Sequence, residues 1–70
     1  MKFDSTGGKP ATLTVQVYHY RGIDQYAFSD EIPAYNFYEN VKRNYSLFDG
    51  FISVLIFSEL TKEVIDSWLP

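Results

Sequence analysis

The chain has no cysteine among its 70 residues. That excludes a disulfide framework and any thiolate metal site, and it fits a reducing cytosol. Histidine is nearly absent too, with His19 the only one. A side-chain metal centre draws on two or more His or Cys, or on carboxylates at defined spacing, and neither pattern is present. No metal or cofactor is expected. Basic residues are few, six against nine acidic ones, for a net charge of −3. Nucleic-acid binding needs a clustered basic footprint. The adjacent pair Lys42–Arg43 instead suits the negative end of a helix dipole, so nucleic acid is not an expected partner. The longest apolar stretch, Phe51 to Phe57, falls far short of the roughly 20 residues that a membrane-spanning helix requires. Residues 1–10 lack the apolar region of a secretory signal. No membrane partner is expected. The expected location is the cytoplasm, a host cytoplasm if the gene belongs to a phage. The chain begins at Met1 without an affinity tag and reads as a whole gene product.

What is abundant is aromatic. The chain is 46% hydrophobic and 19% aromatic, with six Tyr, six Phe and one Trp. That is too apolar for a disordered segment, and the length allows one domain. Large rings give a short chain the most burial per position. A domain this small still has little margin between burial and ordering entropy. Association with a second copy or another protein is the expected supplement.

Residues 1–10 have loop composition, with Ser5, Thr6, Gly7, Gly8 and Pro10 close together, and read as a flexible arm. Residues 11–70 then form a single α+β domain. From Ala11 to Tyr20, Leu13, Val15 and Val17 alternate with Thr12, Thr14, Gln16, Tyr18 and Tyr20, the period of a half-buried strand. Residues 21–24 read as a turn at Gly22, and 25–29 as the return strand. Asp30 suits an N-cap, Glu31 the positive end of a helix dipole and Pro33 the first helical turn. Ala34, Phe37, Tyr38, Val41 and Tyr45 follow at helical spacing. Phe51 to Ser58 is a strand apolar on both faces, with Ile52, Val54 and Ile56 on one side and Phe51, Leu55 and Phe57 on the other. Val64 to Leu69 is the last strand. The order ββαββ predicts a four-stranded, mostly antiparallel sheet with one helix packed on one face.

One helix covers one face of such a sheet. The other face should then carry surplus apolar residues, which on a monomer mark an interaction site. Tyr18, Tyr20, Phe51, Leu55, Phe57 and Trp68 are the candidate partner-binding residues, and a homodimer is the first form expected. Catalytic patterns are missing. His19 falls on the inward face as a lone histidine, no nucleophile elbow is present, and Gly7-Gly8-Lys9 lacks the spacing of a phosphate loop. The expected function is a non-catalytic protein-binding module. Compact, acidic, cysteine-free domains of this size are common among phage proteins that inhibit a host enzyme or defence complex by covering a surface. That analogy rests on size and composition. The alternative is a small-ligand or nucleotide sponge using aromatic rings at a dimer seam.

Overall fold

A computed structural model describes residues 1–70. The elements are β1 (Lys2–Asp4), β2 (Leu13–His19), β3 (Gly22–Phe28), α1 (Glu31–Arg43), a single 3-10 turn (Tyr45–Leu47), β4 (Phe51–Ser58) and β5 (Val64–Trp68). One sheet holds all five strands in the order β1-β3-β2-β4-β5, and α1 packs on one face of it. The α+β class is as the sequence predicts. The strand number is not, because Lys2–Asp4 forms a fifth strand where a loose arm was expected.

β1 runs parallel to β3, with Phe3 opposite Tyr26. Backbone hydrogen bonds hold it there, from the Gln25 N–H to the Met1 carbonyl at 2.7 Å and from the Ser5 N–H to the Ala27 carbonyl at 2.9 Å. The Phe3 ring stacks on Tyr26 at 4.6 Å and 10°. Asp4 then accepts hydrogen bonds from the Thr6 backbone N–H at 2.8 Å and from the Thr6 hydroxyl, a side-chain turn of the kind Asp favours. The other pairings, β2 with β3, β2 with β4 and β4 with β5, are antiparallel.

The core follows from the alternation in β2. Leu13, Val15 and Val17 point inward and meet Phe28 of β3, Val54 and Ile56 of β4, and Ala34, Tyr38 and Val41 of α1. Spacings of four and three put those helix residues on one stripe. Asp30 is in extended conformation at the helix N-cap but makes no side-chain capping bond. At the other end the Asn44 amide donates to the Asn40 carbonyl at 3.0 Å, and Lys42 and Arg43 occupy the last turn, where cations are favoured.

Two aromatic groups flank this aliphatic centre. Phe3, Tyr26, Phe37 and Phe28 line the β1–β3 side. Tyr45, Phe48, Phe51 and Trp68 gather on the β4–β5 side, with ring centroids 5.6–6.2 Å apart. This second group corrects the expected faces. Tyr18 pairs with Ser53 but His19 pairs with Phe51, so Ile52 is an extra residue in β4. Such a β-bulge reverses the alternation beyond it. Phe51 therefore turns to the helix side, and Ile52, expected inside, is exposed. Trp68 pairs with the core residue Val54 and also lies on the helix side. Neither Phe51 nor Trp68 belongs to the open face.

Candidate functional site

The open face can be read in rows across the sheet. Lys2, Gln25, Gln16, Leu55 and Ser67 form one row; Asp4, Ala27, Thr14 and Phe57 form the next. Ile23, Tyr18 and Ser53 form a third. The β1–β3–β2 half is mostly polar, and Leu55 and Phe57 give β4 its apolar part. The polar half is internally bonded. The Thr14 hydroxyl donates to Glu59 Oε2 at 2.5 Å, and the Tyr18 hydroxyl to Gln16 Oε1 at 2.8 Å. The Thr14 bond lowers the pKa of Glu59, burial opposes it, and Lys62 at 3.3 Å lowers it further. A shallow depression of about 230 Å³ lies here, lined by Lys2, Thr14, Gln25 and Glu59 among others. Tyr18, Leu55 and Phe57 do share this face, and each is half-buried among its neighbours.

Exposed apolar side chains lie at both ends of the molecule: Ile32, Leu60 and Val64 at the end where α1 starts and β4 joins β5, and a second set at the other end. The β2–β3 turn, the 3-10 turn after α1, the start of β4 and the exit from β5 all lie there. Tyr20 is 62% exposed, Leu47 82%, Ile52 54% and Leu69 69%. Ile23 and Tyr45 are also exposed. At the opposite end Asp30, Glu31, Glu59 and Glu63 outnumber Lys9 and Lys62. Of the six candidate residues, Tyr18, Tyr20, Phe51 and Trp68 lie at or next to the apolar end. Leu55 and Phe57 lie further along β4.

This end is built on Gly50. Its φ of +69° is a conformation that favours glycine. The Tyr20 ring sits so close that a Cβ on Gly50 would fall 1.7 Å from it. The Tyr20 N–H donates to the Gly50 carbonyl at 3.1 Å, and the Tyr20 hydroxyl to Asp49 Oδ2 at 3.3 Å. Arg21 Nη2 lies 3.5 Å from the same Asp49 oxygen. Beneath the turn, His19, Arg21, Asp24, Phe48 and Asp49 line a depression of about 180 Å³. His19 points inward, as its place in the alternation predicts.

Leu47 and Ile52 are surface residues that the sequence pattern does not reveal. Leu47 stands alone in a polar stop segment, and Ile52 is exposed only because the bulge removes it from the core pattern. Leu69, expected within the last strand, lies one residue beyond its end. No cluster of three or more His, Cys, Asp or Glu side chains could hold a metal ion. No helix is long and apolar enough to cross a membrane. No protein-family model matches the chain, and no curated protein or solved structure shows significant similarity to it.

Proposed function

We propose that the protein is a non-catalytic binding module that docks another protein surface through its apolar end. One observation carries this reading: four separate segments each bring an exposed large apolar side chain, Tyr20, Leu47, Ile52 and Leu69, to the end where the β2–β3 turn meets the start of β4. Aromatic and aliphatic side chains exposed together favour protein contact. The charged opposite end faces solvent in such a complex. The two depressions, about 230 and 180 Å³, are smaller than the roughly 300–1,000 Å³ of small-molecule sites, which favours contact over a surface. Covering a surface of a host enzyme or defence complex in the cytoplasm, as a phage-type inhibitor does, is the mode of action that suits such an end. A second copy of the chain is one occupant, since symmetric dimers are the commonest assemblies.

The test compares capture by the wild type, by Leu47→Glu/Ile52→Glu and by Leu60→Glu in an extract of the source organism. Leu60 is 77% exposed at the charged end and serves as the control. The expected result is a stoichiometric partner, or a second copy, held by the wild type and by Leu60→Glu and lost by the double variant. Equal retention by all three variants contradicts docking through the apolar end. Finding no stoichiometric partner, with a monomeric wild type, contradicts the binding function itself.

A further inference from the structure

His19 closes β2 with its ring against Asp24 of β3. Its Nδ1 accepts the backbone N–H of Arg21 at 3.3 Å. A ring nitrogen that accepts carries no proton, so this imidazole is neutral with its proton on Nε2. Nε2 is buried and has no hydrogen-bond partner, although Asp24 Oδ2 lies 3.3 Å away. The carboxylate is near enough for an ion pair but out of line with the N–H. The ring thus satisfies the turn at the expense of its own donor.

We propose that His19 and Asp24 form a proton-operated latch on the β2–β3 turn. A proton from solvent adds to the Nδ1 lone pair, and both ring nitrogens become donors. The new Nδ1–H then faces the Arg21 N–H, and the turn bond is lost. In exchange the imidazolium closes on Asp24 as a charge-assisted hydrogen bond. The other charged groups around the ring are few. The Met1 amino group lies 3.7 Å from Asp24 Oδ1 and competes for that carboxylate. The Arg21 guanidinium is held by Asp49 from the loop before β4, and Phe48 supplies a neutral wall. Gly22 in this turn holds φ +137°, a conformation that favours glycine. The latch does not depend on what the apolar end binds.

Nitrogen-15 NMR of the ring, together with amide exchange at Arg21, tests the latch on the wild-type chain. Acidification from pH 8 to 5 spans the interval in which histidines change charge. The expected result is an Nε2–H tautomer at pH 8. The Arg21 protection factor should then fall roughly threefold to tenfold as the ring titrates, the equivalent of one net hydrogen bond. His19→Gln should remove that fall. An Nδ1–H tautomer at pH 8, a ring that keeps one charge across the interval, or an Arg21 amide indifferent to the titration overturns the proposal. The wild-type measurement decides even where a variant does not fold.

Discussion

Gly50 and Gly7 have similar positive φ values, +69° and +64°, but different surroundings. A Cβ on Gly7 meets nothing within 4 Å, whereas one on Gly50 meets the Tyr20 ring. Gly7→Ala should cost about 1–2 kcal/mol, the penalty for an L side chain in that conformation. Gly50→Ala should cost more, because the ring must also leave. Thermal unfolding of the two variants checks this, and equal melting temperatures would contradict the close approach of Tyr20 to Gly50. Tyr38 is a second residue with a measurable signature. Burial raises its pKa well above the ordinary tyrosine value, and its hydroxyl donates to Asp66 Oδ2 at 3.0 Å. A folded pKa above the unfolded one means that this stabilisation is intact below about pH 10 and is lost as pH rises through the folded value. Tyr38→Phe should cost about 1 kcal/mol at neutral pH and flatten the alkaline loss, read from urea midpoints between pH 7 and 11. Glu59 has the opposite sign. Its lowered pKa gives stability that is present above the unfolded carboxylate range and lost as pH falls through the folded value. Thr14→Val removes the main cause and should flatten the acid limb of the same profile.

At the level of elements, the bulge at Ile52 decides more than any single contact. It sends Phe51 to the helix side, where it meets Tyr45, Phe48 and Trp68. Phe51→Ala should therefore cost about 3 kcal/mol, the lower end for a packed phenylalanine, and shift Trp68 fluorescence to the red. Leu55→Ala, on the open face, should leave that emission unchanged. Unchanged emission in Phe51→Ala would contradict the bulge. β2 and α1 were legible because the alternation of Leu13, Val15 and Val17 and the spacing of Ala34, Tyr38 and Val41 repeat long enough to define a face. β1 was not legible, since three residues carry no period and its neighbours have loop composition. β4 was legible as a strand, but its register was not. A one-residue bulge leaves no mark in a run that is apolar on both sides, so Phe51 was assigned to the wrong face. Trp68 followed it because the pairing of β5 with Val54 is a tertiary choice.

For the whole molecule, these corrections change where a partner is expected. Moving Phe51 and Trp68 to the helix side leaves the open face half polar, with Tyr18, Leu55 and Phe57 as its apolar part. The candidate surface moves instead to the end carrying the exposed Tyr20, Leu47, Ile52 and Leu69. Tyr20 was legible as a candidate because it falls on the outward side of the alternation that runs from Ala11 to Tyr20. The gathering of residues from four separate segments was not, because only the fold places them together. The small core also bears on this scale: nine buried apolar residues support a domain with little stability to spare, and a bound partner adds to it by mass action. The most direct measurement is the molar mass of the native protein in a source extract, wild type against Leu47→Glu/Ile52→Glu. The wild type should run above its 8.1 kDa monomer mass, in complex with itself or another protein, and the variant should run as the folded monomer. A wild type that runs as an 8.1 kDa monomer, or a variant that keeps the larger mass, would contradict docking through the apolar end.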